Sequence, residues 1–286
     1  MTIKTCAKVN IYLAAICRRP DGFHEIDTLV NTVSLFDIIN IKTATDYKLT
    51  VRINSMLKNT INTESLIHDN ILNKIFYYFA ENYNISAVRI SLKKNIPVGA
   101  GLGGGSSNAA ALIAGLNRLF ALGLNADQLS AVGAKFGCDI PLFFYSGYLR
   151  CTGRGEIINR ININKVYYYI LVYPGFMINT ASAYQKLTTL TEDFNHCNFI
   201  SGAANGTPVL YNCFQQKTAE HYPAVNEILE ALKKHTEYAS LTGSGSTVYG
   251  LFSNKIRAHR AFSCIKRDFK NYACFLVNSD TRGLLI

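Results

Sequence analysis

The residue types best placed to do chemistry cluster in Pro97-Val98-Gly99-Ala100-Gly101-Leu102-Gly103-Gly104-Gly105-Ser106-Ser107-Asn108. Five of these twelve residues are glycine, although the chain of 286 residues holds only 20. The apolar residues that follow, Ala109, Leu112, Ile113, Leu116 and Leu119, share one helical face. The stretch therefore runs into a helix, expected to open at Ser106, Ser107 or Asn108, all favourable N-cap types. A backbone without Cβ atoms can close around a ligand, and its N–H groups add to the positive end of the helix. That combination binds anions, phosphate above all.

Residues 99, 101 and 104 satisfy G-x-G-x-x-G, but the dinucleotide fingerprint needs a strand feeding directly into the first glycine, and residues 93–97 intervene. A P-loop needs lysine after its last glycine, whereas Gly105 is followed by Ser106-Ser107. The loop must work through backbone N–H groups, the helix end and the two serines. Positive charge then has to come from elsewhere.

The elements that would position this loop can be read from periodicity. Segments 9–13, 28–33, 38–42 and 49–53 carry strand composition, and Arg19-Pro20-Asp21-Gly22 is turn chemistry. Residues 65–82 switch to helical spacing, with Asn62 or Thr63 as caps, and 88–92 form a strand leading to the glycines. Further helices are expected over 125–136, ended by Gly137, over 180–186 with Thr180 as cap, over 223–234 and over 255–269. Strands are expected over 145–151, 166–173, 247–252 and 273–277, whereas 188–220 is polar and weakly periodic. Tyr167, Tyr168 and Tyr169 read as strand filling. The pattern implies an α+β architecture in two domains, 1–158 and 159–286.

Composition narrows the function classes. Hydrophobic residues at 49% and charged residues at 17% describe a globular protein, and no apolar run reaches the length of a membrane span. No signal-peptide core opens the chain, so a cytoplasmic location and no membrane partner are expected. The eight cysteines include no Cys-x-x-Cys pair and no zinc spacing, and are expected to be reduced and mostly buried. The net charge of +10 comes from basic residues standing singly or in pairs. That dispersion suits a protein handling small polyanions better than a nucleic-acid binder.

Three segments in order resemble the GHMP kinases, named for galactokinase, homoserine kinase, mevalonate kinase and phosphomevalonate kinase. They are Ala7-Lys8-Val9-Asn10-Ile11, residues 97–107, and Leu241-Thr242-Gly243-Ser244-Gly245-Ser246-Thr247. The resemblance implies a ribosomal S5 domain 2-like N-terminal half, a ferredoxin-like α/β-sandwich C-terminal half, and a substrate cleft between them. It also implies ATP bound at residues 97–108 with help from Lys94.

Within that superfamily, residues 8–13 with Arg18-Arg19-Pro20-Asp21-Gly22-Phe23-His24-Glu25, residues 137–144 and Gly153-Arg154-Gly155-Glu156 resemble the 4-diphosphocytidyl-2-C-methyl-D-erythritol kinase family. That likeness implies Mg²⁺-dependent transfer of the ATP γ-phosphoryl to the substrate's 2-hydroxyl, in the non-mevalonate route to isoprenoids, by a monomer or homodimer. Asp139 would be the base and Lys8 its assistant. Asn10, Phe23, His24, Tyr184, Gly243, Ser244 and Gly245 would bind the cytidine substrate, and no protein metal site is implied. Phe23 stands where tyrosine is common in the family, Cys213 where an acid is usual, and Ala100 where glycine is also common.

Overall fold

The computed structural model describes residues 1–60, 67–187, 190–191 and 194–280. Its spine is a pair of long antiparallel strands, β1 (Thr2–Arg18) and β2 (His24–Thr43). The pair runs from Thr2 opposite Asn40 to Arg18 opposite His24, with irregularities between Cys6 and Ala7, Asn10 and Tyr12, and Ala15 and Cys17. Such bulges bend the ribbon and re-aim side chains. The segments 28–33 and 38–42 are thus parts of a single strand. Asp37, which lies between the two segments, is buried within β2 and paired with Lys94.

The chain continues through β3 (Lys48–Ile53), α1 (Ile71–Tyr83), β4 (Val88–Lys94), α2 (Gly104–Leu119) and α3 (Ala126–Ala134). Asn70 caps α1 by accepting from Leu72 N; Asn62 and Thr63, expected as caps, lie outside the described residues. Asn125 and Gln128 close a capping box on α3. Helix α2 begins earlier than expected: its N-cap is Gly103, at φ 69°, so Ser106 and Ser107 fall inside the first turn. A left-handed N-cap suits glycine, and the polar run that reads as a cap is already helical.

Strands β5 (Tyr148–Gly153) and β6 (Ile157–Ile161) extend the first sheet, then come β7 (Tyr168–Tyr173), α4 (Thr180–Gln185) and α5 (His196–Asn205). The N-cap of α4 is Asn179, one residue before the expected Thr180. Last come β8 (Tyr211–Asn212), α6 (Gln215–His221), α7 (Pro223–Lys233), β9 (Ala239–Leu241), β10 (Val248–Phe252), α8 (Lys255–Asp268) and β11 (Ala273–Asn278).

The architecture is α+β, with a sheet β3-β4-β2-β1-β8 to which β5 and β6 attach, and a second sheet β11-β7-β10-β9. On one face of the first sheet Ile3, Val30, Ile39 and Ile41 pack with Leu112, Ile113 and Leu116 of α2. On the other, Val9, Ile11, Tyr12 and Leu29 meet Tyr169, Leu171 and Tyr249 of the second sheet. The outer face of that sheet, Ile170 and Val172, is covered by Ile228 and Leu232 of α7 and Ile265 of α8. Tyr167 and Tyr169 are fully buried, as strand filling should be.

The expected division at 158/159 falls inside β6, which pairs with β5, and β8 returns to add a parallel strand beside Tyr12 and Leu13. The hard-to-read segment 188–220 supplies that strand together with α5 and α6.

Backbone packing of the glycines makes a test. A methyl group on Gly101 (φ +77°) would overlap the Thr242 carbonyl oxygen, whereas one on Gly105 would meet nothing within 4 Å. Gly101→Ala should cost about 2 kcal/mol or more. Gly105→Ala, in a helix, should stabilise by about 0.5 kcal/mol. Denaturant unfolding of both variants checks the contrast, and equal stabilities would refute the close approach.

Candidate active site

A cleft of about 720 Å³ opens where the N-terminus of α2, the first sheet, α4 and the loop 242–247, the late glycine loop, converge. Three groups of expected site residues line it: Lys8, Asn10 and Asp139; Phe23, His24 and Tyr184; and Gly243 with Ser244. Of the glycine stretch, Pro97, Gly99, Ala100, Gly101 and residues 103–106 also reach the cleft.

The remaining expected residues lie elsewhere. Lys94, Val98 and Asn108 line a second cavity of about 290 Å³, which shares Gly105 with the cleft and is walled by Val51, Ile71 and Leu92. Leu102 and Ser107 are buried behind the loop, and Gly245 packs against Ile178 and Leu241. Lys94 does not bring a free charge to the glycine loop. It is ion-paired with Asp37, whose other oxygen accepts from Asn95 N at 2.7 Å and Ile96 N at 2.8 Å. That pair pins the end of β4, so the Pro97 turn leaves the sheet at a set angle.

Asn10 joins the two glycine loops. Its Oδ1 accepts from Lys8 Nζ at 2.6 Å, Gly243 N at 2.8 Å and Thr242 Oγ1 at 3.2 Å, while its Nδ2 donates to Thr28 Oγ1 at 2.8 Å. Thr242 Oγ1 also lies 3.2 Å from Gly101 O, and Lys8 N donates to Leu102 O at 3.0 Å. Asn212 fixes the late loop from behind, donating to Leu241 O and Gly243 O, each at 2.9 Å.

Lys8 is buried, and burial pulls its ammonium below the ordinary lysine range, while the negative charge of Asp139 works in the opposite direction. Among the described residues Asp139 is the only carboxylate on the cleft wall. Beside it, Gly155 (φ +113°) leaves room: a methyl group there would lie 3.6 Å from Asp139 Oδ1.

The far end of the cleft is aromatic. The His24 and Tyr184 rings stack at 5.2 Å, and Phe214 meets Tyr184 edge-on at 4.8 Å. Phe23 is half exposed, with the Arg154 guanidinium 5.2 Å from its ring centre. Burial and the nearby Arg18 charge hold His24 below the ordinary histidine range, so near neutrality it is an uncharged ring with one donor and one acceptor.

Sequence reasoning assigned no binding role to Arg18, Thr28, Cys138, Arg154 or Thr180, all of which line the cleft. Arg18, Cys138 and Arg154 stand inside the segments that carry the family resemblance, which is their signal in the sequence; Thr28 and Thr180 carry none there. All eight cysteines are free, and burial pushes Cys151 and Cys213 up to about 12.

The GHMP kinases N terminal domain matches residues 70–147, and the GHMP kinases C terminal domain matches residues 199–271. A 4-diphosphocytidyl-2-C-methyl-D-erythritol kinase of Thermodesulfovibrio yellowstonii is 35% identical over 98% of both chains. This chain belongs to that family of GHMP kinases. The kinase of the same name from Clostridium perfringens is 31% identical over 94% of this chain and 95% of its own.

Among solved structures, a 4-(cytidine 5'-diphospho)-2C-methyl-D-erythritol kinase superposes with a TM-score of 0.79 at 24% identity, covering 98% of this kinase and all of the other chain. A homoserine kinase from Cytophaga hutchinsonii follows the same fold with a TM-score of 0.69 at 15% identity, over 98% and 95% of the two chains. No helix among the described residues is long and apolar enough to cross a membrane.

Two outcomes test the electrostatics of this kinase. Lys94→Met leaves the buried Asp37 charge uncompensated and should cost about 3 kcal/mol or more in denaturant unfolding; an unchanged midpoint would remove the pair from the stability of the fold. In NMR titrations the His24 ring should gain its proton at a lower pH than an ordinary histidine, about 6.5. Arg18→Ala relieves charge repulsion and should raise that midpoint. A downward shift would contradict the assignment.

Proposed function

We propose that this kinase transfers the γ-phosphoryl group of ATP to the 2-hydroxyl of 4-diphosphocytidyl-2-C-methyl-D-erythritol, a step in the non-mevalonate supply of isoprenoid precursors, carried out in the cytoplasm. The observation that carries this reading is the cleft itself: one Lys/Asp pair lies between a glycine-lined helix N-terminus and an aromatic end. The names and coverage of the relatives support the same reading.

The phosphates lie along residues 99–106, where the glycine N–H groups and the positive end of α2 converge. The adenine takes the second cavity, whose apolar walls Val51, Ile71 and Leu92 accept a flat ring and whose Asn108 offers an amide. The cytosine lies against Phe23 and Tyr184, and the neutral His24 ring supplies a donor and an acceptor to its edge.

Asp139 accepts the proton of the 2-hydroxyl as that oxygen attacks the γ-phosphorus. The bond from the γ-phosphorus to the bridging oxygen then breaks, and ADP leaves. Lys8 has three N–H donors and gives one to Asn10. The other two serve the transferring group and the attacking oxygen, and burial keeps them from being screened by water.

No group of three or more His, Cys, Asp or Glu side chains that could hold a metal exists among the described residues, and on the cleft wall Asp139 alone offers a carboxylate. That donor set fits Mg²⁺ bound together with ATP, and Asp139 and Ser106 would hold it on the protein side. When bound, the ion neutralises phosphate charge.

ADP release measured with and without the cytidine substrate tests the reading. Release should require 4-diphosphocytidyl-2-C-methyl-D-erythritol, and turnover of homoserine or mevalonate in its place would overturn it. Asp139→Asn should lower kcat by at least about 10² with nucleotide affinity nearly intact. Turnover like the parent enzyme's would exclude Asp139 as the base.

A further inference from the structure

Two hairpin tips close the aromatic end of the cleft. One is the turn between β1 and β2, residues 19–23; the other joins β5 to β6, residues 153–156. Inside the first tip, Arg19 N donates to Phe23 O at 2.8 Å, Asp21 Oδ1 accepts from Phe23 N at 3.1 Å, and Gly22 adopts φ +83°. These bonds hold the Phe23 backbone but do not touch its ring, which is half exposed.

The tips are tied together beneath the ring. Glu25 accepts from Arg19 Nη1 at 2.6 Å through one oxygen and from Gly153 N at 2.9 Å through the other. Glu156 accepts from Arg154 N at 2.6 Å and lies 3.4 Å from Arg154 Nε. The guanidinium so held sits 5.2 Å from the Phe23 ring centre, and both side chains line the cleft.

We propose that Arg154 is a positioning residue for base recognition: its guanidinium, anchored by Glu156, holds the Phe23 ring as a preformed platform for the cytosine of the substrate. The inference rests on the cytidine reading given above. A half-exposed aromatic ring on a hairpin tip otherwise samples several rotamers, and ordering it on binding would weaken affinity. A planar cation over one face fixes the ring before the base arrives and leaves the other face free. Arg154 acts through Phe23 and takes no part in the phosphoryl transfer.

Direct binding of cytidine, CMP and CDP, measured by calorimetry, separates this role from others. Arg154→Met keeps the length of the stem and should weaken cytidine about fivefold, with the same fold-change for CMP and CDP. KM for the cytidine substrate should rise by a similar factor, with kcat, KM for ATP and Tm close to those of the parent enzyme. Arg154→Lys should recover only part of the loss, because a point charge replaces a flat one. In a Phe23→Ala background, Arg154→Met should add nothing further.

Weaker CDP binding with cytidine unaffected would mean a direct contact to phosphate and would overturn the proposal. So would additive losses in the double variant, or a lowered Tm accompanied by a general loss of activity. If the parent enzyme binds none of the three cytidine ligands, the cytidine reading itself fails, independently of Arg154.

Discussion

The site depends on a backbone-to-backbone contact between two glycine-rich loops that lie far apart in the chain. Gly101 and Thr242 approach so closely that no side chain fits between them, and Gly243 in turn packs on Gly101. Such an approach carries polar backbone groups into a dry region, where each needs a partner. The Asn10 side chain supplies the partner of Gly243 N, and the same amide accepts from the Lys8 and Thr242 side chains while donating to Thr28. Tyr249 adds a bond from its hydroxyl to Asn10 O at 2.7 Å, tying the same residue to the second sheet. The joint between the two halves of the fold and the floor of the cleft are therefore one structure.

Charge is distributed around that joint with little redundancy. Two buried lysines lie near the glycine stretch, and their environments assign them different work. Lys94 faces Asp37 and spends its charge on the fold. Lys8 forms no ion pair among the described residues; its Nζ hydrogen-bonds a neutral amide, and its only charged influence among carboxylates is Asp139. A buried cation without a tight counter-ion is costly for stability and suited to a site where an anion arrives with the substrate.

The opposite end of the cleft is built from aromatic surface on three separate elements: the β1–β2 turn, α4, and the segment before α6 that carries Phe214. The return of β8 into the first sheet sets the last of these. Asn212, in β8, holds the late glycine loop, and Phe214 follows two residues later to back Tyr184. Cys213, which departs from the usual family residue, is half-buried there; its N–H donates to Leu13 O at 3.0 Å. The backbone at that position, not the side chain, completes the sheet edge.

Local patterns made much of this legible. Period-two and period-3.6 spacing located most strands and helices, and the absence of a P-loop lysine already required positive charge from outside the glycine stretch. Local sequence signals place most of the extended and helical segments and several turns, and they mark a glycine-lined helix start whose chemistry suits an anion. These follow from backbone dihedral preferences and side-chain periodicity, which act over a few residues. The tertiary structure decided which lysine carries the ion pair, because the partner of Lys94 lies 57 positions away in sequence. It also decided that α2 starts at Gly103, that residues 211–212 join the first sheet, and that Asn10 reaches Gly243, 233 positions on. A buried polar group can find its partner at any distance along the chain, and no local period encodes that partner.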